Sequence, residues 1–282
     1  MESIQLIKTR IKSISSTRQI TQSMRLVSTS KVQRARTRML ANSTFLEEGR
    51  RLVRIAQSSL DYNSHPFLHH RPVTQSAIIV ISSDRGLCGG YSTNVGREAM
   101  LLMDELGPAK VITVGAKARD YCRRRRELSI AHSFTGVSEN PFFEDAREIA
   151  DMALEWYASG EVDQVYMVHT EFKSMLLQIP KRVKLLPLEP LPADFPRGRV
   201  QCEPDANCFL DKVVPFYLYT ILYGAMLEAS ACEQSARITS MDSAVKNADE
   251  MIGSLTLRFN QARQGIITQE LIEIVSGAGA VR

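Results

Sequence analysis

The sequence has no proline in residues 1–65 or 216–282; all eleven prolines lie between Pro66 and Pro215. Proline inside a helix costs about 3 kcal/mol, so two long proline-free arms around a proline-rich middle predict helix, mixed domain, helix. Aromatic residues make up only 7%, and Phe45 is the single aromatic of residues 1–60, which leaves that arm no platform for stacked bases. A net charge of +4 is far from the excess of a dedicated nucleic-acid binder. Five cysteines, an odd number in a 282-residue chain, argue against a secreted disulfide scaffold. No apolar run approaches the roughly 20 residues of a membrane helix. The opening MESIQLIKTRIKSI spaces its apolar residues along one helix face, unlike a signal peptide or anchor. Because the repeat starts at Ile4, no room is left for a cleaved presequence, and a bacterial cytoplasmic setting is expected. His65, His69 and His70 cluster without Cys or carboxylate at ligand spacing, so no metal site is expected.

What is present is helical periodicity. Ile4, Ile7, Ile11 and Ile14 recur at 3-4-3 spacing; Thr17, Ile20, Met24 and Val27 continue one position out of phase. The stripe resumes at Val32, Ala35, Met39, Asn42, Leu46, Gly49, Val53, Ala56 and Leu60. In the second arm Ile238, Met241, Val245, Ala248, Ile252, Leu255, Phe259, Ala262 and Ile266 alternate 3 and 4, with Leu210, Val214, Tyr217 and Ile221 upstream. Past Gly265 the stripe shifts to Ile267, Leu271, Ile274 and Ala278. So narrow and long a stripe is a coiled-coil seam. Helices of 60–67 residues span roughly 90–100 Å, so the arms are expected to project and to pair antiparallel around the insert. Residues 1–60 carry twelve basic residues against Glu2, Glu47 and Glu48, whereas residues 216–282 carry five basic and seven acidic ones. A positive helix laid on a mildly negative one suits that pairing, and its surplus charge must face water or an acidic partner.

In the middle, Ala77–Ser83, Lys110–Gly115, Val162–Phe172 and Val183–Leu188 read as strands. Residues 91–106, 116–127 and 141–159 read as helices, and the alternation predicts an α/β layer with a mostly parallel sheet. The expected segments are a coiled-coil helix over 1–65, an α/β domain with linker over 66–207, and a second coiled-coil helix over 208–282. The turn Ser83–Gly90 (SDRGLCGG) sits where a phosphate loop would sit, but it matches neither G-x-x-x-x-G-K-[ST] nor G-x-G-x-x-G. No Lys follows the glycines, so a tight packed turn is expected, with Cys88 as a small buried hydrophobe. Arg123–Arg126 ends a helix, where cations complement the dipole. Cys202 and Cys208 have the spacing of a regulatory pair, though free thiols are the simpler reading. No catalytic, cofactor or metal residue stands out. Two alternatives stay open on residues alone: a nucleotide-binding α/β enzyme with coiled-coil arms, and a nucleic-acid-binding helical protein.

Five runs, in order along the chain, resemble the gamma subunit of bacterial F-type (two-sector) ATP synthase. They are Ile11–Lys31, Ser83–Gly90, Phe172–Leu188 (the weakest), Ala231–Arg237 and Ala262–Ala278. The resemblance implies a long antiparallel coiled coil with an inserted Rossmann-like domain, acting as a rotor shaft that couples ion-driven turning of a membrane c-ring to ATP synthesis or hydrolysis at the beta subunits. It implies a non-catalytic subunit without cofactor. Its partners would be three alpha and three beta subunits, an epsilon subunit and the c-ring, with no nucleic acid. Its place would be the cytoplasmic face of the cell membrane, peripheral and held there through the complex. By motif, Met24 matches the contact with an acidic loop of beta, with Arg25 an exposed cation beside it at the ring, and Arg237, Gln264, Thr268 and Glu270 match positions linking the last helix to the ring.

Overall fold

A computed structural model describes residues 4–58, 65–69, 71–124, 129–191 and 205–280, with side chains as far as residue 276. In chain order the elements are α1 (Ile4–Ser58), β1 (Ser76–Ile81), α2 (Tyr91–Leu106), β2 (Ala109–Val114), α3 (Ala116–Cys122), β3 (Ser129–Phe134), α4 (Phe143–Ala158), β4 (Gln164–Phe172), β5 (Gln178–Leu186) and α5 (Ala206–Ala280). They form two compact units, residues 1–27 with 238–282 and residues 28–237, so each long helix contributes to both.

The larger unit is built on one sheet of order β3-β2-β1-β4-β5, parallel except for the antiparallel β4–β5 pair. All six residues of β1 are buried, as expected of a central strand covered on both faces. Side chains alternate along a strand, so Ile78 and Val80 pack with Val95, Ala99 and Met103 of α2. Ala77, Ile79 and Ile81 pack on the other face with Ile149 and Tyr157 of α4 and Leu218, Leu222 and Met226 of α5. An 18-residue window of α5 has a mean hydropathy of 1.2, and half of it is buried in the protein itself. Its apolarity is thus that of a core helix.

Two strands differ from the sequence expectation. β3 is absent from it, because Ser-Ile-Ala-His-Ser-Phe is a short, largely exposed edge strand with no apolar run. β5 begins five residues earlier than expected and holds Pro180, which an edge strand tolerates because that position lacks a second neighbour. α5 starts at Ala206 and carries Pro215 in its interior, giving up one backbone bond within a segment anchored by buried Leu210, Val214 and Leu218.

The seam of α1 differs as well. Ile20 and Val27 are 61% and 54% exposed. The buried stripe instead keeps its phase from Ile7 through Ile11, Ile14, Arg18, Thr21, Arg25 and Ser28 to Val32, Ala35, Met39 and Asn42, with Arg25 at the rim. The apparent phase slip arises because polar residues occupy continuous seam positions. Thr21 satisfies its hydroxyl on the Thr17 carbonyl (2.8 Å), and Asn42 donates to the Thr220 carbonyl (3.3 Å). Leu60 lies outside the described residues.

Gly96 in α2 marks a close approach. A Cβ there would lie 2.5 Å from Cγ of Tyr121 in α3. Gly96→Ala should therefore cost at least about 1–3 kcal/mol despite the better helix propensity of alanine. Denaturant unfolding of the variant should show the loss, and equal or greater stability would refute this packing.

Candidate partner-binding site

In the smaller unit the two helices pair antiparallel. Arg18 donates to Asp249 (2.9 Å) and Arg25 to Asp242 (2.8 Å), so seven residues forward on α1 match seven residues back on α5. These pairs are half-exposed and worth about 0–1 kcal/mol each, so they fix register more than stability. The apolar seam supplies the stability: Ile7 on α1, and Ile238, Met241, Ala248 and Leu255 on α5, are buried. Val245, Ile252, Phe259 and Ala262 are half-buried beside them, as the 3-4 spacing of the second arm requires. Beyond Ala262 the expected stripe ends, and residues 263–276 are all exposed.

That exposed stretch carries six large apolar side chains. Ile266, Ile267, Leu271, Ile272, Ile274 and Val275 are 46–71% exposed. At about 100° per residue they spread over most of the helix circumference. Arg263, Gln264, Thr268, Gln269, Glu270 and Glu273 lie among them, so the stretch presents exposed large apolar side chains interleaved with polar ones, the mixture of a partner-binding surface.

The six residues singled out from the sequence do not meet at one point. Met24 is half-buried on α1, and Arg25 beside it is held by Asp242. Gln264, Thr268 and Glu270 are exposed on α5, where the Thr268 hydroxyl donates to the Gln264 carbonyl (2.9 Å). Asp242 and Gln264 are 22 residues apart on α5, roughly 33 Å of helix. Arg237 belongs to the larger unit and turns inward, only 4% exposed. It donates to Glu233 (2.7 Å) and to the Gly86 carbonyl (3.2 Å). Burial raises the Glu233 carboxyl pKa, and the Arg237 charge and hydrogen bond oppose that shift.

The turn that Arg237 grips follows β1. Tyr91 donates to the Ala229 carbonyl of α5 (3.1 Å), and Ser83 and Ser92 hydroxyls meet at 2.5 Å around buried Cys88. Asp84 accepts from Ala116 N (2.9 Å) and Ser138 N (3.0 Å), tying the turn to α3 and to the chain before α4. Lys31 of α1 and Arg85 both reach Glu139, at 2.9 and 3.8 Å. Partial burial pushes the Asp84 pKa up, but the N–H groups of Gly136, Ser138 and Ala116 outweigh it, and the net shift is downward. A depressed carboxyl pKa stabilises the fold above the ordinary carboxylate range, and that contribution is lost as pH falls through the folded value. Asp84→Asn should cost about 1–3 kcal/mol near neutrality, with the gap to the parent narrowing in acid. A constant gap in denaturation curves across that range would contradict it.

Comparison with known proteins gives these features a context. A family model described as ATP synthase matches residues 3–281. The ATP synthase gamma chain of Pelotomaculum thermopropionicum is 42% identical over 285 residues, covering all of both chains. That of Desulforamulus reducens is 40% identical over 284 residues, again covering both completely. The chain belongs to the ATP synthase gamma-chain family. The fold agrees with a solved chain from Euglena gracilis mitochondrial ATP synthase (OSCP/F1/c-ring), at a TM-score of 0.70 and 17% identity, covering 99% of this chain and 94% of that one. A chain from the central stalk/c-ring of Tetrahymena thermophila mitochondrial ATP synthase matches at a TM-score of 0.59 and 24% identity, covering 80% and 99%.

Within this family member the thiols divide by environment. Cys88, Cys122 and Cys232 are buried, and burial raises the Cys122 thiol to about 11 and the Cys232 thiol further. Cys208 is half-exposed, and Cys202 lies outside the described residues. His65 is a structural residue: its Nδ1 accepts from Phe67 N (3.2 Å) and its Nε2 meets Asp211 (3.1 Å). Sequence reading misses that pair, since 146 residues separate its members.

Proposed function

We propose that this chain is the central rotor shaft of a bacterial F-type ATP synthase, a non-catalytic subunit that couples ion-driven rotation of a membrane c-ring to conformational change at the catalytic beta subunits. The observation that carries this reading is full-length identity of 40–42% to ATP synthase gamma chains, joined to an α5 segment that exposes six large apolar side chains. Residues 1–65 and 208–282 are the shaft, and residues 66–207 the domain that stands outside the ring. Three alpha and three beta subunits enclose the shaft, and the epsilon subunit and c-ring join it at the other end. The complex holds the chain at the cytoplasmic face of the cell membrane. Met24, Arg25, Gln264, Thr268 and Glu270 meet the ring directly, whereas Arg237 acts from inside the subunit by holding the turn at Gly86. No nucleotide, metal or nucleic acid enters its own role.

The test is to tag the chain in its host, solubilise membranes gently and purify it. Recovery with two nucleotide-binding ring subunits and a membrane sector, in a complex that hydrolyses ATP, is the expected result. Recovery as a free protein, or with nucleic acid, overturns the reading.

A further inference from the structure

The larger unit contains a cleft of about 650 Å³ between α1, β5 and α5. At its lining stand two titratable groups that no step above uses. His169 on β4 is 5% exposed, and its Nδ1 has no hydrogen-bond partner among the described residues. Oε2 of Glu228 on α5 lies 3.5 Å from that nitrogen. With no proton between them, a carboxylate faces an imidazole lone pair unless the ring's own N–H moves from Nε2 to Nδ1. With two, a buried imidazolium faces a neutral acid. With one, the carboxyl O–H donates to Nδ1 and satisfies the buried nitrogen.

We propose that His169 and Glu228 form a proton-binding site, in which one proton held between Glu228 Oε2 and His169 Nδ1 clasps α5 to β4.

The surroundings place that proton. Burial drives the His169 pKa down to about 4, helped by Lys181 and opposed by Glu171 and by the Thr170 backbone. Burial raises the Glu228 pKa to about 7, reinforced by Glu171 and opposed by Lys181 and Lys173. Those two lysines are themselves held by Glu171, at 3.4 and 3.0 Å. The other charged groups facing the cleft are Arg50 and Arg54 from α1, Arg182 and Lys184 from β5, and Glu189 just after it. Arg182 is tied to Glu98 and Glu105, and Lys184 lies over the Tyr166 ring. One turn along α5, burial keeps the Cys232 thiol neutral. Between about pH 4 and about pH 7 the proton therefore sits on Glu228.

Linkage gives the signature. Raising a Glu from 4.5 to about 7 makes stability fall as pH rises through that interval. Lowering a His from 6.5 to about 4 makes stability fall as pH drops through that one. Between 4.5 and 6.5 the two slopes oppose and cancel, because folding only moves one proton from the histidine to the glutamate.

The experiment uses the full chain. Infrared titration should show a protonated-carboxyl band that bleaches with a midpoint near pH 7 and is missing in Glu228→Gln. The side-chain amide of that variant keeps a donor toward Nδ1 at every pH, so the clasp persists in it. Unfolding followed through Trp156 fluorescence between about pH 4.5 and 6.5 gives the parent a slope set by other groups, among them Asp84 and Glu233. Relative to that parent slope, the unfolding constant of Glu228→Gln should fall by up to tenfold per pH unit as pH rises, and that of His169→Gln should rise with pH. Because buried Glu233 also has a raised carboxyl pKa, the band is assigned by difference from Glu228→Gln, or from Glu228→Ala should that variant fail to fold. A midpoint below about pH 5, or parallel pH slopes in all three proteins, overturns the proposal.

Discussion

Arg237→Met is expected to remove about 3–5 kcal/mol of stability from the larger unit. The reason is asymmetry: the lost attraction matters less than what remains. Glu233 is 1% exposed, and without the guanidinium it becomes a buried carboxylate with no counter-charge. It has one escape, which is to take up a proton. The variant should thus lose more stability as pH rises, since a carboxyl pKa raised further in the folded state costs stability above the ordinary carboxylate range. The Gly86 carbonyl also loses its donor, so the turn after β1 loosens with it. Trp156, the only tryptophan, packs against the core of this unit and reports its unfolding selectively. Adding Glu233→Gln should restore most of the loss by removing the buried charge. A single variant within about 0.5 kcal/mol of the parent, or a double variant no better than the single, would show that the pair is not buried as described.

The Arg237 case also shows what a sequence can carry. Glu233 and Arg237 stand four apart on a helix, so their pairing is legible as an i,i+4 contact. That the pair points inward is not, because helical phase there is hidden: every residue from Ala229 to Ser235 is buried. α5 meets the sheet on one side and the turn after β1 on the other, and periodicity vanishes when both faces are covered. The same logic explains the strands. β1, β2 and β4 announce themselves as apolar runs because helices cover both of their faces, while β3 at the edge has no such run to show. On α1 the seam is legible wherever its residues are apolar. The expected seam is misplaced at Thr17–Val27, where hydroxyls and arginines fill the true one and stray apolar residues lie outside it. The His169–Glu228 site has no sequence signal at all, for 59 residues and a sheet-to-helix crossing lie between its members.

Leu255→Asp is expected to separate the paired helices of the smaller unit. Leu255 is 9% exposed. The register carried by Arg18–Asp249 and Arg25–Asp242 sets it opposite the turn that holds Ile11 and Ile14. Truncating a buried leucine alone costs about 2–5 kcal/mol, and a carboxylate in its place adds the cost of desolvating a charge with no partner. Nearby cations do not rescue it, since Arg18 already serves Asp249 and Lys12, level with position 255 in that register, stands on the exposed side of α1. An isolated pair of helices has no sheet to fall back on, so the loss should appear as helix melting confined to this unit. Circular dichroism should lose helical signal while the Trp156 transition keeps its midpoint. The defect should deepen as pH rises, because a buried aspartate raises its pKa and folds best when neutral. Leu255→Met, nearly the same volume, should cost less than about 1.5 kcal/mol and serves as the control. In membranes, a complex carrying Leu255→Asp should still hydrolyse ATP yet lose ion-driven ATP synthesis, because a shaft that unwinds under load transmits no torque. Full coupled synthesis, with the variant confirmed in the complex, would reject both the seam position of Leu255 and the requirement for a stiff pair of helices.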